Sequence, residues 1–147
     1  MKVFFDTEFI EDGQTIDLIS IGLVREDGAR LYLESSEADL SKAAPWVIEN
    51  VLPSLDGVAS TRQEIAREIV SFVGSDPEFW AYYADYDWVV LCQLFGRMID
   101  LPPGWPMFCR DLRQLAEMQG AEIHQEGSVH TALDDANWVK ATYESIS

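Results

Sequence analysis

Basic residues are scarce in this chain of 147 residues: ten lysines and arginines stand against 26 aspartates and glutamates, a net charge of -16. So acidic a balance argues against broad, non-specific binding to duplex nucleic acid through a basic surface. It leaves room for a local contact with a strand end, because bound cations can neutralise a carboxylate cluster and attract phosphate there. Cysteine is nearly absent. Cys92 and Cys109 lack CxxC spacing and sit among apolar residues, which suits reduced, buried thiols better than a disulfide or a zinc site. No stretch approaches a membrane span, and the opening Met-Lys-Val-Phe-Phe reaches Asp6 and Glu8 too soon for a secretory segment, so a cytoplasmic protein with no membrane partner is expected. Repeats, low-complexity tracts and Pro/Gly/Ser linkers are also missing. With 48% hydrophobic residues, the length fits one core, and a single domain over residues 1–147 is expected.

What is present begins β-rich. Lys2 to Asp6 reads as a short buried strand, Thr15 to Arg25 as a longer apolar one, and Arg30 to Glu34 as its return after a Glu26-Asp27-Gly28 turn. From Thr61 to Val73, Ile65, Ile69, Phe72 and Val73 recur at helical spacing behind a Thr61/Glu64 capping box. Glu78 to Ala84 suggests a strand, followed by a helix from about Tyr86 to Phe95 that stops at Gly96. After the prolines at 102, 103 and 106, a short strand near Met107 to Cys109, a helix over Asp111 to Gln119 and a last helix over Ala132 to Ile146 complete the chain. Strands first, with helices between and after them, predict an α/β fold, a mixed sheet covered by helices.

Acidic side chains fall at positions where burial makes charge costly. Asp6 and Glu8 are two apart at the end of the first strand, so alternation puts both on one side, where they can share an ion. Projected at about 100° per residue, the Tyr86 helix shows a stripe of Leu91, Leu94 and Met98 with Asp87 in its middle, whereas Asp85 faces the polar side. A carboxylate aimed at a core needs a partner or a metal, unless Asp87 merely caps the helix. In the last helix, Ala132, Ala136, Val139, Tyr143 and Ile146 point inward. Thr131 as N-cap gives Asp134 the capping-box position, which leaves Asp135, on the border of the stripe, to be explained. His130 lies five residues before Asp135, on the loop that must approach the same end of the fold, and an ordinary histidine pKa suits a general base near neutral pH. His124 reads as solvated. Four carboxylates from three elements match the needs of phosphodiester hydrolysis, in which two divalent ions about 3.5–4 Å apart clamp the attacking and leaving oxygens.

In order along the chain, Asp6-Thr7-Glu8, Tyr86-Asp87 and His130 to Asp135 resemble the three motifs of the DEDDh branch of the DnaQ-like 3′-5′ exonucleases. The resemblance implies an RNase H-like fold, with Asp6, Glu8, Asp87 and Asp135 holding two Mg2+ or Mn2+ ions and His130 as general base. One departure is the absence of the Asn often found shortly before the second-motif Asp. The runs FFDTEFIEDG, IDLISIG, YDWVVLCQLFG and RDLRQL further resemble the RNase AS family, polyadenylate-specific exoribonucleases. That likeness implies a homodimer acting on the 3′ ends of single-stranded RNA with a preference for adenylate, releasing nucleoside 5′-monophosphates.

Phe9, Tyr86 and Trp88 are the aromatics nearest the acids and are candidates for stacking on a terminal base, with core packing as the competing explanation. Thr7, between the first two acids, is a further candidate for contact with substrate. Arg110 and Arg113 could meet phosphate or a partner subunit, though a solvated helix face is the commoner explanation. Two other functions fit the residues: the same chemistry on single-stranded DNA, since no residue pattern shows a 2′-hydroxyl being read, and a non-catalytic acidic module that binds a structural cation.

Overall fold

The computed structural model describes residues 1–125 and 131–147. One six-stranded mixed sheet organises them, built from β1 (Lys2–Glu11), β2 (Ile16–Arg25), β3 (Arg30–Ser35), β4 (Ala59–Ser60), β5 (Glu78–Ala81) and β6 (Arg110–Asp111) in the order β4-β3-β2-β1-β5-β6. The first three strands form an antiparallel meander, and β5 and β6 extend it in parallel beyond β1. The helices are α1 (Pro45–Asn50), α2 (Arg62–Val73), α3 (Ala84–Gln93), α4 (Leu112–Gln119) and α5 (Ala132–Ile146). Among the described residues no helix is long and apolar enough to cross a membrane.

Strand alternation sorts the β1 side chains into two cores. Val3 and Phe5 join Ile65 and Ile69 of α2 and Leu91 of α3 on one face, with Phe79 and Trp88. Phe4 joins Leu112 of α4 and Val139 of α5 on the other. Asp6 and Glu8 share the parity of Phe4 and so lie on the α5 face. At Asp6 the cross-strand partner is Gly22. A Cβ on Gly22 would come within 2.6 Å of the Ala132 carbonyl carbon and closer still to Leu133 N and Cα. The missing side chain is therefore what lets the start of α5 press onto the sheet beside Asp6.

A third cluster explains the opposite wall. Between Glu8 and Phe9 the β1–β2 register slips, Glu8 facing Ser20 and Phe9 facing Leu18, so Ile19 is the extra residue of a bulge. Ile19 packs with Ile10 and Val51, and Val47 of α1 leans on the same cluster. This seats α1 at the far end of the β1–β2 hairpin.

Several expectations need correction. β1 runs on to Glu11, so Asp6 and Glu8 stand in mid-strand, held there by pairing with β2 through Ile16. α3 ends at Gln93, Gly96 takes a positive φ of 116°, and Met98 is exposed in a separate turn instead of continuing the apolar stripe. The strand expected near Met107 to Cys109 lies instead at Arg110–Asp111, because parallel pairing with Trp80 and Ala81 sets its position. α1 and β4 had no counterpart in the sequence reading. Cys92 is buried and Cys109 half-buried, both as free thiols.

Candidate active site

β1 pairs with β5 only from Lys2 to Phe4, so beyond Phe4 its edge on that side is open. The turn into α3 passes over this edge. Asp87, in the first turn of α3, accepts hydrogen bonds from Thr7 N at 3.1 Å and from Thr7 Oγ1. Thr7 is buried and has the parity of Phe5, so its hydroxyl points to the α3 side while Asp6 and Glu8 point to α5. One strand thus supplies two carboxylates to one side and fixes a third from the other.

Asp135, in the first turn of α5, completes the group. Thr131 caps the helix by accepting from Asp134 N at 3.1 Å, and Asp134 is exposed, which leaves Asp135 beside the sheet. Carboxylate oxygens of Asp6, Glu8 and Asp135 all lie within 4.8 Å of one another. Gln125 Nε2 donates to Asp135 Oδ1 at 2.8 Å. Together with Asp87 these residues line a cavity of about 450 Å³ whose wall also carries Phe9, Trp46 and Tyr83.

The electrostatics are those of crowded, poorly solvated anions. Burial, then the charges of Asp87, Asp135 and Glu8, hold the Asp6 carboxyl well above the usual carboxylate range. Burial, then Asp135 and Asp87, pushes Glu8 up to about 8. Burial pushes Asp87 up to about 7 against the lowering effect of the two Thr7 hydrogen bonds, with Asp111 and Asp135 adding repulsion. Among the described residues lining the cavity there is no lysine or arginine. Full ionisation near neutral pH therefore calls for cations, and an all-oxygen donor set suits hard divalent ions such as Mg2+ or Mn2+. The residues present fit such a group.

Of the residues singled out in the sequence, Asp6, Thr7, Glu8, Phe9, Asp87 and Asp135 are brought together. His130 lies outside the described residues. Trp88 is not at the cavity: it is buried and its ring packs on Phe79 at 5.4 Å between centroids, so core packing overrides the stacking role considered for it. Tyr86 is half-exposed and meets Phe9 edge-on, with centroids 6.0 Å apart. Arg110 pairs with Glu78 and lies over Phe108, away from the acids. His124 is exposed, as expected, and its carbonyl accepts from Trp138 Nε1. Trp46, Tyr83 and Gln125 line the cavity without having been singled out. Asp111 was also missed: it caps α4 and accepts from Tyr83 N and Ala84 N, tying the start of α3 to β6. The sequence placed Asp111 inside that helix, and neither its capping of α4 nor its role across the turn was read there.

An acidic cavity over the open edge of a mixed α/β sheet, lined by four carboxylates, is a site suited to phosphoester chemistry. All of residues 1–147 match the model of the Rv2179c-like 3′-5′ exoribonuclease domain. Two relatives from Mycobacterium tuberculosis, Rv2179c of strain ATCC 25618 / H37Rv and MT2234.1 of strain CDC 1551 / Oshkosh, both named 3′-5′ exoribonuclease, are each 48% identical over 146 residues. The matches cover 92% of this chain and 87% of theirs. The chain belongs to the Rv2179c-like 3′-5′ exoribonuclease family and is a 3′-5′ exoribonuclease.

Proposed function

We propose that residues 1–147 form one DEDDh-type exonuclease domain of RNase H-like fold that shortens single-stranded RNA from its 3′ end by a two-metal mechanism and releases nucleoside 5′-monophosphates. The observation that carries this is the approach of Asp6, Glu8 and Asp135 oxygens to within 4.8 Å of one another, with Asp87 held beside them by Thr7. The four carboxylates are the ligands in this reading. Two Mg2+ ions, or Mn2+ in their place, would neutralise the phosphate and stabilise the attacking and leaving oxygens of an in-line displacement.

The chain's own residues hold that arrangement. Thr7 directs one Asp87 oxygen through two hydrogen bonds, and Gln125 directs one Asp135 oxygen through a single one. His130, five residues before Asp135 in the sequence, serves as general base and takes the proton of the attacking water. Water attacks phosphorus, the bond to the 3′ oxygen breaks, that oxygen takes a proton from solvent water as it leaves, and His130 returns its proton to solvent. Phe9, on the cavity wall, contacts the terminal nucleotide. The resemblance to the RNase AS family adds adenylate preference and a homodimer to this reading, and a cytoplasmic setting is proposed beside it.

A time course on 5′-labelled oligoadenylate, oligouridylate and oligodeoxyadenylate tests it. The expected result is a ladder shortening from the 3′ end in Mg2+, lost with EDTA and fastest on oligoadenylate. Faster turnover of the DNA strand would overturn the RNA reading. Metal binding with no shortening would leave the acids as a structural cation site.

A further inference from the structure

Above its acidic floor the cavity has an aromatic rim that the catalytic reading does not use. Trp46 is 54% exposed although it is the largest side chain of α1, and it lines the cavity, while α1 is anchored through Val47 and Val51. Asn50 Nδ2 donates to the Trp46 carbonyl at 2.9 Å and steadies this short helix. Tyr83 lines the cavity too, 64% exposed, with φ 51° and ψ 59° and its ring packed on that of Tyr82 at 4.5 Å between centroids. Among the described residues it alone has a positive φ without being glycine. A side chain in that left-handed region costs about 1 kcal/mol, and such strain persists where the surroundings enforce it and a site gains from it. Here the Asp111 carboxylate enforces it by accepting from Tyr83 N at 3.1 Å and Ala84 N at 3.2 Å.

An RNA strand entering this cavity meets four carboxylates and, among the described lining residues, no lysine or arginine. None of those described residues offers a cation to its phosphates, whereas the π-face of an uncharged base can be held by aromatic rings whatever the sign of the field. Resting on the exoribonuclease reading, we propose that Trp46 and Tyr83 grip the nucleobase next to the scissile phosphate by stacking, favouring purines for their larger face.

Trp46→Ala and Tyr83→Gly test this, with Tyr83→Phe retaining the ring. Tyr83→Gly relieves the strained backbone but also removes a ring packed on Tyr82, so circular dichroism melts are run on each variant to separate lost folding from lost stacking. Binding is read by fluorescence anisotropy of 5′-fluorescein oligoadenylate with Ca2+ present, and turnover in Mg2+ on oligoadenylate and on the same strand ending in an abasic nucleotide. Each of the two ring-removing variants should weaken binding and raise KM about 5- to 150-fold, the range for one stacked base. Tyr83→Phe should stay near the parent, and the loss should vanish on the abasic-ended strand. Unchanged affinity in both variants, or an equal loss on the abasic-ended strand, would overturn the clamp. A parent protein that binds oligoadenylate through these rings but never shortens it would instead sink the catalytic reading and leave the clamp standing.

Discussion

Replacing Gly22 with alanine perturbs the site without touching any of its side chains. The added Cβ would lie within 2.6 Å of the Ala132 carbonyl carbon and closer to Leu133 N and Cα, whereas ordinary contact begins at 3.4 Å. These are backbone atoms of the first turn of α5, so no rotamer change relieves the clash, and the helix start must lift by roughly an ångström. Overpacking of this kind costs about 1–3 kcal/mol, and in a chain of this size that lowers Tm by about 2–12 °C. Asp135 sits two residues beyond Leu133 and moves with it, away from Asp6 and Glu8. A misplacement of about 1 Å in a catalytic constellation can cost on the order of 100-fold in rate. The assay pairs thermal melts by circular dichroism with kcat on oligoadenylate at a temperature where the variant is fully folded. The expected outcome is a folded Gly22→Ala protein with kcat down about 100-fold. Adding Leu133→Ala should not rescue it, because the clash is with backbone. Retained kcat with a lowered Tm would refute the claim that α5 must approach the sheet this closely for Asp135 to function.

Other outcomes follow from the same geometry. Asp87→Ala should abolish turnover and leave the fold intact, as judged by circular dichroism, and near-normal activity would remove Asp87 from the site. Thr7→Val deletes one of the two hydrogen bonds to Asp87, and titration of activity with Mg2+ should show about 10- to 100-fold weaker apparent Mg2+ affinity, as for other groups that orient ligands. Glu8 and Asp87 have folded pKa values of about 8 and about 7, above their ordinary 4.5 and 3.8. Their contribution to stability is therefore complete below their ordinary values and is lost as pH rises through 7 to 8, so Tm in EDTA should fall from about pH 5 to about pH 8 and recover with Mg2+. A flat or rising profile in EDTA would contradict the crowding of the carboxylates. Glu34 is buried and accepts from Asp56 N, Gly57 N and Tyr32 Oη. Glu34→Ala orphans all three donors and should cost about 2–4 kcal/mol in denaturant melts, with kcat on oligoadenylate unchanged.

Features encoded by neighbours in the chain were legible before the structure. α5 spans Ala132–Ile146 as expected because Thr131 and Asp134 form its cap locally, and the same cap separates exposed Asp134 from Asp135. Thr61 likewise starts α2. Asp87 was visible as a carboxylate on an apolar face. What escaped reading depends on distant partners. The length of β1 is set by its pairing with β2, β6 is placed by β5, and the bulge at Ile19 exists only in the paired sheet. α1 has six residues and none of them buried, so it carries no periodic stripe to read, and Trp46 went unnoticed with it. Tyr83 read as part of a strand because its residue type favours one, whereas Asp111 holds it in a left-handed turn. The need for glycine at position 22 belongs to a contact with residues 132 and 133, more than a hundred positions away.

The most direct test of the carboxylate centre is single-turnover cleavage of 5′-labelled oligoadenylate by the parent protein and by Asp6→Asn, Glu8→Gln and Asp135→Asn, each with Mg2+ titrated from zero. The expected result is stepwise loss of 3′ nucleotides by the parent, abolished by EDTA, with all three variants folded and inactive at any Mg2+ concentration. Cleavage by the parent that persists in EDTA, or variants that keep near-parent rates, would contradict a reaction centred on these acids.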